Sequence, residues 1–545
     1  MTERTRLSAA DLDLVVIGAG FSGLAMLHRA RRSGLTTRVF EAGGDVGGAW
    51  YWNRYPGART DSESHYYCLS FSKELVDEWS WSERYASQPE VRRYLEFVAD
   101  RFDLRRDITF DSRVTSLVYD EQAAVWTVTT DSGEQVRSRF VVTAIGLLTK
   151  PNVPDFPGLA DFAGELLITS RWPDGADLAG KRVGVVGTGS TGVQVVPIAA
   201  ETARSVTVFQ RTPNYVVPAH NRALDAADVA DLKRRYLEIR DKARAHSFAM
   251  PFEPGHGLTA DFTAEERNRI YEEGWATGGF HFLFETFDDI TVDEEANESA
   301  AEFIRSKIRE IVEDPETAEL LCPKGYPYGG KRPPVGHHYY EAFNRDTVEL
   351  VDVSRRGTPI ESVTPAGLRT ADGREHALDV LVLATGFDAI TGGMDEIDVR
   401  GRNGRTLREE WAAGPTGFLG FGVHGFPNLL AISGPGSPFA NIPVCLEKNV
   451  EWIGDLLDHV DREGIDSVEA TEEAAADWGR RVHDAAFATL LPRGESVNTW
   501  FLGANIEGKP FSVGVWFGGA NVYFDVCDEV AAQGYPGWEL TSRRD

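Results

Sequence analysis

The sequence predicts an α/β fold in which two glycine-rich turns each join a β-strand to a helix. The first turn, GAGFSG, follows the apolar run LDLVVI, and the second, GTGSTG, follows KRVGVV. A helical period continues after each turn, which is the context of a Rossmann-like dinucleotide-binding unit. The six glycines of the two G-x-G-x-x-G patterns are Gly18, Gly20, Gly23, Gly187, Gly189 and Gly192. Two Rossmann-like dinucleotide-binding domains are therefore predicted.

The strands that follow the two turns end in different side chains. TTRVFE ends in Glu41, and an acid at this position binds the ribose hydroxyls of a dinucleotide. SVTVFQRT ends in Gln210, Arg211 and Thr212, without an acid. Arginine attracts a ribose 2′-phosphate through charge-assisted hydrogen bonds, although Arg211 alone also fits a solvated surface position. The first site is therefore predicted to bind FAD and the second NADPH.

The two turns anchor a division of the chain into five segments. Residues 1–148 are predicted as the first part of the FAD-binding domain, and 149–221 as the first part of the NADP-binding domain. Residues 222–330 have charged, helical periods such as DVADLKRRYLEIRDKARAH and are predicted as a helical insertion in the NADP domain. Residues 331–386 return to the NADP domain, and 387–545 to the FAD domain with a C-terminal layer.

Three short apolar runs near the end of the first segment predict an antiparallel meander over residues 104–145. Val114 begins one of these strands, where a backbone group can meet the adenine of the first dinucleotide. The meander is therefore expected to cover the first nucleotide site.

Composition excludes several classes of protein. The 545 residues carry a net charge of −28, which argues against nucleic acid and anionic membranes as partners. The N-terminus lacks an apolar signal region, and the apolar runs are too short to span a bilayer. A cytoplasmic protein without a membrane segment is expected.

Cysteine and histidine spacing argues against a metal or a redox dithiol. The cysteines, Cys68, Cys322, Cys445 and Cys527, are far apart and form no C-x-x-C pair. His337 and His338 are adjacent, and neighbouring residues of a strand face opposite sides. No metal site is predicted. A disulfide reductase is excluded in the same way, and a simple oxidase would not need the second nucleotide site. A flavin that is reduced by NADPH and then reacts with O₂ remains.

Several motifs, spread over nearly the whole chain, now resemble those of one family. GGAWYWNRYPGARTD (Gly47 to Asp61), FAGELLITSRWP (from Phe162), ATGFDA and GANIEGKP are similar to motifs of the type I Baeyer–Villiger monooxygenases. The ending Trp172-Pro173 separates this family from the related flavin-containing monooxygenases and N-hydroxylases. The resemblance implies NADPH- and O₂-dependent oxidation of a small-molecule ketone to an ester or lactone.

One position of these motifs departs from the family. Ile168 stands where the family has a histidine, in the segment that resembles the hinge between the two nucleotide domains. An aliphatic side chain still packs such a joint, so we expect Ile168 to be tolerated. Its effect would fall on domain motion and on the coupling of NADPH use to product, rather than on the chemistry.

The resemblance also assigns the catalytic residues. The family forms a C4a-peroxyflavin and a tetrahedral adduct, both of which a fixed positive charge stabilises. Arg332 is the implied guanidinium, and Asp61 is the implied carboxylate that holds it. Lys331 is expected to point the other way, with Arg211 and Thr212, toward the 2′-phosphate. Because Asp61 and Arg332 lie in different predicted domains, their pair would form only when the domains meet.

Further contacts follow from the matched motifs. Trp50 and Tyr67 are expected to flank the flavin, although core packing explains them equally well. Trp500 resembles the mobile-loop tryptophan that bonds the nicotinamide ribose. The remaining cofactor contacts implied are Phe21, Ser22, Gly48, Ala49, Arg59, Thr60, Thr188, Ser190 and Thr191. Ser437, Pro438 and Phe439 are expected to border the substrate.

Alternative functions remain open at this point. A flavin monooxygenase that acts on sulfur or nitrogen would not need Arg332 for a carbonyl adduct, and a Baeyer–Villiger enzyme also oxidises sulfides. An uncoupled NADPH oxidase would follow if Ile168 breaks the joint. A non-catalytic sensor of FAD and NADP would keep both glycine sites without requiring Asp61, Lys331 and Arg332. The sequence does not identify the ketone.

Overall fold

A computed structural model describes residues 10–542 and contains an α/β fold. Its strands are, in chain order, β1 (Leu12–Ile17), β2 (Thr37–Phe40), β3 (Ile108–Thr109), β4 (Val114–Asp120), β5 (Val125–Thr130), β6 (Gln135–Thr143), β7 (Lys150–Pro151), β8 (Glu165–Ile168), β9 (Arg182–Val186), β10 (Ser205–Gln210), β11 (Val217–Pro218), β12 (Val335–Gly336), β13 (Val348–Asp352), β14 (Ile360–Thr364), β15 (Gly367–Thr370), β16 (Glu375–Ala377), β17 (Val380–Leu383), β18 (Phe387–Asp388), β19 (Asp398–Arg400), β20 (Leu429–Ala431), β21 (Ser467–Ala470) and β22 (Trp538–Thr541).

The helices surround these strands. They are α1 (Phe21–Arg32), α2 (Ala49–Trp52), α3 (Lys73–Glu78), α4 (Gln88–Arg101), α5 (Ser190–Thr202), α6 (Ala226–Arg234), α7 (Tyr236–Ala245), α8 (Ala264–Thr277), α9 (His281–Phe284), α10 (Glu294–Ile311), α11 (Pro315–Leu321), α12 (Gly392–Asp395), α13 (Leu407–Glu410), α14 (Ile442–Glu463), α15 (Glu472–Phe487) and α16 (Ala520–Ala532).

Two sheets form the frame of the molecule. The first has the order β19-β4-β5-β6-β1-β2-β3, with β20 also paired to β6. Its core strands β6, β1, β2 and β3 are parallel, whereas β4, β5 and β6 form the predicted antiparallel meander. The second sheet has the order β13-β10-β9-β17-β8 and is parallel throughout. The predicted fold class is confirmed by this pair of sheets and by the comparisons given below.

Each glycine turn brings its helix close to its strand. Gly18 and Gly187 have φ angles of +102° and +112°, which favour glycine. A Cβ atom on Gly23 would lie 1.8 Å from the carbonyl oxygen of Gly18, and one on Gly192 would lie 2.1 Å from that of Gly187. The third glycine of each pattern is therefore required for α1 and α5 to start where they do.

The helical insertion leaves and re-enters the second sheet's unit at one place. Strands β11 and β12, which flank helices α6 to α11, pair with each other in parallel. Tyr271, Phe282 and Phe303 of the insertion are buried in the same apolar cluster as Val183 and Val185 of β9. The insertion is thus packed onto the second sheet rather than separate from it.

The segment predicted as a connector is itself part of the second sheet. Strand β8 ends at Ile168, which pairs with Leu383 of β17. Trp172 is buried in the core beside the second sheet, and Asp174 forms an ion pair with Arg54 of the GGAWYWNR segment. The segment is therefore held on both sides by packing and by charge.

The C-terminal part of the chain covers the first glycine unit. Helix α14 packs against α1, and Arg29 of α1 forms ion pairs with Asp455 at 3.0 Å and Asp458 at 2.6 Å. Among residues 10–542, no helix combines the length and apolar character needed to cross a bilayer.

Candidate active site

A cavity of about 890 Å³ collects residues from both glycine units, from the helical insertion and from the C-terminal part of the chain. This volume lies within the range of about 300–1,000 Å³ that is usual for small-molecule sites. The predicted residues on its wall are Ala49, Trp50, Arg59, Thr60, Asp61, Tyr67, Gly187, Thr188, Gly189, Ser190, Thr191, Arg211, Thr212, Lys331, Arg332, Phe439 and Trp500.

The other predicted residues lie off this wall. They are Gly18, Gly20, Phe21, Ser22, Gly23, Glu41, Gly48, Val114, Gly192, Ser437 and Pro438. Val114 is buried at the start of β4, and Gly23 and Gly192 pack helix against strand. Ser437 and Pro438 are buried as well, whereas the neighbouring Phe439 reaches the cavity. The roles assigned to these residues stay predictions.

Arg332 and Asp61 meet at the cavity wall. Nη1 of Arg332 lies 2.5 Å from Oδ2 of Asp61 and also donates to Oγ of Ser190 at 2.8 Å. The Asp61 side chain is 7% exposed and that of Arg332 25%, so the cation is the more accessible partner. Phe280 of the insertion packs against the guanidinium, 5.7 Å from ring centroid to Cζ. A cation is thus fixed at the cavity edge.

A buried hydrogen-bond chain supports this pair, and sequence reasoning missed it. Nε2 of Gln194, on α5, donates to Oδ1 of Asp61 at 3.3 Å and to the carbonyl of Arg59 at 3.0 Å. The hydroxyl of Tyr55 donates to Oε1 of Gln194 at 2.8 Å. A Cβ atom on Gly57 would lie 2.3 Å from the Gln194 carbonyl, so this glycine is needed for the approach. The Tyr-Pro-Gly within the quoted motif was the available signal.

Lys331 and Arg211 form a second positive region of the cavity. Burial and the charge of Arg211 lower the pKa of Lys331 to about 8, and burial lowers the pKa of Arg211. Within residues 10–542, neither side chain is in an ion pair, and no carboxylate is among the influences on either pKa. Two cations that line the same cavity and have no carboxylate partner among the described residues are suited to an anionic ligand.

The second glycine turn leaves room beside these cations. A Cβ atom on Gly189 would meet no atom within 4 Å, so the turn has open space in front of it. Oγ1 of Thr188 donates to the carbonyl of Thr212 at 2.8 Å, which ties the turn to the strand end that carries Arg211. Helix α5 begins at Ser190, and its N-terminus favours phosphate. These residues fit the pyrophosphate and 2′-phosphate of NADP.

The first glycine turn is built differently. Glu41 is 4% exposed and accepts hydrogen bonds from the backbone amides of Ala19 and Gly43, both at 2.7 Å. Burial raises the pKa of this carboxyl, and the two amides oppose the rise. Gly20 and Gly48 lie against each other, since a Cβ on Gly48 would be 2.9 Å from Cα of Gly20. The acid and the close backbone approach fit the adenosine half of FAD.

Aromatic and hydroxyl groups continue from this turn into the cavity. Nε1 of Trp50 donates to the hydroxyl of Tyr67 at 3.3 Å, and burial raises the pKa of Tyr67 to about 12. Both side chains line the cavity, so core packing alone does not account for them. Oγ1 of Thr60 is buried and has no hydrogen-bond partner among the described residues. Such a group fits a bound ligand that supplies the missing partner.

Arg59 is less available than predicted from its motif. Its Nη1 donates to Oε2 of Glu83 and to the carbonyl of Tyr85, at 2.6 and 2.8 Å. This side chain lines the cavity but is already neutralised within the protein. Its contact with a cofactor remains a prediction.

One wall of the cavity is aromatic. The rings of Phe439 and Trp500 lie 5.0 Å apart at an angle of 82°, and Phe248 lies 6.4 Å from Phe439. Phe280 and Phe284 complete this wall from the insertion. The sequence analysis missed Phe248, Phe280 and Phe284, because nothing local shows that the insertion folds back over the nucleotide sites. The run GGFHFLFETF, rich in aromatics, was the available signal.

Comparisons with known proteins agree with this arrangement. The model of the FMO-like family, flavin-binding monooxygenase-like, matches residues 12–240. A Baeyer–Villiger monooxygenase of Pseudooceanicola batsensis is 45% identical over 536 residues, covering 98% of this chain and 97% of the relative. A phenazine N-monooxygenase of Lysobacter antibioticus is 43% identical, covering 97% of each chain.

Solved structures extend these matches to three dimensions. Cyclohexanone monooxygenase from Rhodococcus sp. Phi1 bound to NADP⁺ superposes with a TM-score of 0.95 and 46% identity, over 97% of this chain and 99% of the other. The complex of OTEMO with FAD and NADP superposes with a TM-score of 0.93 and 40% identity, over 98% and 100%.

The paired nucleotide units and the cavity between them define a flavin-dependent monooxygenase. More closely, the chain belongs to the Baeyer–Villiger monooxygenases. The resemblance seen in the sequence is thereby confirmed, as are the predicted cofactors FAD and NADP.

Proposed function

We propose that this protein oxidises a ketone to an ester or lactone with NADPH and O₂. We further propose that Arg332 stabilises the negative charge that develops on oxygen during this oxidation. The observation that carries the proposal is the Arg332–Asp61 pair at the wall of the cavity, directly beside an aromatic pocket. Relatives that act on cyclohexanone and on acetone, at 41% and 40% identity, support ketones as the substrate class.

When bound, FAD would supply the oxidising chemistry, with NADPH as the reductant and O₂ as the oxidant. The protein's part is to stabilise charge and to exclude water. Among the described residues, the side-chain hydrogen bonds of Arg332 all use Nη1, so Nε and Nη2 can donate to an oxyanion in the cavity. Asp61 holds the guanidinium in place through Nη1 and is itself held by Gln194. A preorganised cation of this kind stabilises an anionic adduct without reorganisation.

The positions of the other residues support a proposed role for each. Lys331 and Arg211 bind the 2′-phosphate, and Thr188 to Thr191 bind the pyrophosphate at the start of α5. Trp500 and Phe439 border the nicotinamide side and the ketone. Ser437 and Pro438, which are buried and directly precede Phe439 in the chain, act on the pocket by positioning that residue. The apolar wall formed with Phe248 and Phe284 keeps water from the reacting atoms.

The test is turnover of the FAD-loaded protein with NADPH and isotopically heavy O₂. Cyclic and aryl ketones are supplied in turn, products are identified by mass spectrometry, and hydrogen peroxide is measured in parallel. We expect an ester or lactone that contains one heavy oxygen atom. NADPH consumption that yields only peroxide with every ketone would contradict the proposal.

N-oxidation is a second candidate, because the phenazine N-monooxygenase is as similar to this chain as the ketone-oxidising relatives. Oxidation at nitrogen or sulfur forms no carbonyl adduct, so it depends less on Arg332. Phenazine and a simple sulfide belong in the same turnover assay. An Arg332→Ala variant that keeps N-oxidation at the wild-type rate, in a protein that makes no ester, would favour this second function.

A further inference from the structure

Helix α9 separates two cavities. The active-site cavity of about 890 Å³ lies on one side, and a second cavity of about 510 Å³ lies on the other. Ser247, Leu283, Phe284 and Thr291 line both. Two of these shared residues belong to α9, which is only one helical turn long. The position of this short helix therefore decides where the active-site cavity ends.

An ion cluster holds the start of α9. Nε2 of His281 lies 3.0 Å from Oε1 of Glu63, and Nδ1 lies 2.7 Å from Oε2 of Glu285. Arg84 donates to the same Glu63 oxygen at 2.7 and 2.9 Å, and to the carbonyl of Thr277 at 2.8 Å. The side chains of His281, Glu63 and Arg84 are each less than one-fifth exposed.

The cluster connects α9 to the segment that carries the catalytic carboxylate. Glu63 lies two residues after Asp61 and comes from the first glycine unit. His281 and Glu285 come from the insertion, and Phe280, directly before α9, packs on Arg332. The imidazole of His281 thus joins the chain segments that contribute Asp61 and Phe280 to the active-site wall.

The two contacts of His281 require a particular protonation state. A neutral imidazole has one N–H donor, so it cannot donate to two carboxylates at once, whereas the imidazolium can. Burial alone would lower the pKa of His281, but hydrogen bonds to Glu285 and Glu63 outweigh it and raise the pKa above its usual value. Arg84 and Lys242 are nearby cations, and His65 stays neutral because burial lowers its pKa to about 4.

We propose that His281 is a positioning residue that fixes α9 as the wall between the two cavities and so limits the size of ketone that the active site accepts. The inference rests on the proposed ketone oxidation. When His281 loses its second donor, α9 moves more freely, and Leu283 and Phe284 no longer close the active-site cavity against the second one. Bulky ketones then gain relative to small ones.

The variant that tests this is His281→Gln, which carries no charge and has its N–H donors on one nitrogen, whereas the other end of its amide is an oxygen that cannot donate to a second carboxylate. His281→Arg is the rescue variant, because a guanidinium donates to both carboxylates. His424→Gln is the matched control, since His424 lies beside the buried Glu469 and lines neither cavity. We expect the ratio of kcat/KM for cyclododecanone to that for cyclohexanone to rise about threefold or more in His281→Gln and to stay near wild type in the other two.

The pH dependence of the same ratio separates positioning from general destabilisation. The charge of a group with a raised folded pKa is lost as pH rises through that value. The ratio in the wild type should therefore increase at alkaline pH, and it should be independent of pH in His281→Gln. Amide hydrogen exchange over residues 278–287 should be faster in His281→Gln than in the wild type.

The outcomes distinguish this inference from the proposed function. Equal losses for both ketones in His281→Gln, with unchanged exchange over 278–287, would overturn the role of His281. A wild-type protein that oxidises neither ketone would instead contradict the proposed function. In that case the exchange experiment alone decides whether His281 holds α9, and unchanged exchange would still overturn the inference.

Discussion

At the residue scale, the partners of a charged side chain indicate its role more clearly than the residue type does. Arg332, Arg211 and Arg59 all line the cavity. Arg59 is neutralised by Glu83, Arg332 shares a carboxylate through one nitrogen, and Arg211 has no carboxylate in an ion pair with it among residues 10–542. In the proposed function, Arg332 stabilises an oxyanion and Arg211 binds a phosphate, whereas the charge of Arg59 is already paired within the protein.

The first prediction concerns Arg332. Arg332→Ala removes the cation at the cavity wall and should lower kcat/KM for ketone oxidation by about 100-fold or more, the usual cost of losing an oxyanion donor. Stopped-flow measurements should show that reduction of the flavin by NADPH is much less affected. Arg402→Ala is the control, because Arg402 pairs with the buried Glu469 and lies away from the cavity. A similar loss in both variants would point to instability instead.

The second prediction concerns the charge of Lys331. Its pKa in the free protein is lowered to about 8 by burial and by Arg211, so part of its charge is lost as pH rises through that value. The 2′-phosphate binds the protonated form of Lys331, so Lys331 must take up a proton when NADPH binds at high pH. NADPH should therefore bind more weakly at pH 9 than at pH 7. Titration of NADPH by fluorescence at each pH measures this difference.

Lys331→Met supplies the control for the pH effect. The variant should bind NADPH about tenfold or more weakly, the usual contribution of a charge-assisted hydrogen bond, and NADH nearly as well as the wild type. Its remaining affinity should change less with pH. An identical pH dependence in wild type and variant would mean that another group titrates.

Sequence reasoning can predict residues whose position depends on a few neighbours in the chain. A glycine in a turn, an acid at a strand end and an arginine at the corresponding strand end are of this kind, and Gly18, Glu41 and Arg211 were predicted in this way. Gln194, Phe280 and Phe284 were missed, because their contacts join segments far apart in the chain. The Arg332–Asp61 contact, 271 residues apart, was reached only through the family resemblance.

At the element scale, the segment around Ile168, which was predicted as a hinge, forms strand β8 of the second sheet. Leu167 is buried in the cluster beneath the second sheet, while Ile168 packs from the edge against a different apolar cluster that includes Leu383. The alternation of side chains along β8 thus places two neighbouring residues in two cores. The motif predicted a hinge between the two nucleotide domains at this segment, but only strand pairing shows which sheet the segment joins.

The third prediction follows from this packing. Ile168→His places a polar ring against apolar neighbours and should lower the free energy of unfolding by about 1–2 kcal/mol. The ratio of product formed to NADPH consumed should stay at the wild-type value, because Ile168 does not line the active-site cavity. Thermal unfolding and product yield measure the two effects. A large improvement in this ratio would show that the joint does depend on a histidine.

At the scale of the whole molecule, the cavity depends on contacts among distant parts of the chain. Asp61 comes from the first unit, Arg332 from the segment after the insertion, and Trp500 from the C-terminal part. The Arg54–Asp174 ion pair and the Tyr55–Gln194 hydrogen bond also join the first unit to the second. The division of the chain into five segments remains a proposal. The fold class itself was predictable from the two glycine turns and their strands.

The last prediction uses cofactor binding to test the positive region within the intact fold. NADP⁺ binds the native state, so a concentration 100 times its Kd should stabilise the protein by about 2.7 kcal/mol and raise Tm. The stabilisation should depend on the 2′-phosphate, because Lys331 and Arg211 have no ion-pair partner within residues 10–542 and gain one when it binds. NAD⁺ at the same concentration should therefore raise Tm much less. The double variant Lys331→Met with Arg211→Met should respond equally to both nucleotides, and the control variant Arg402→Ala should keep the wild-type preference. If the double variant still prefers NADP⁺, the phosphate lies elsewhere in the cavity, and the assignment of the second site would have to be revised.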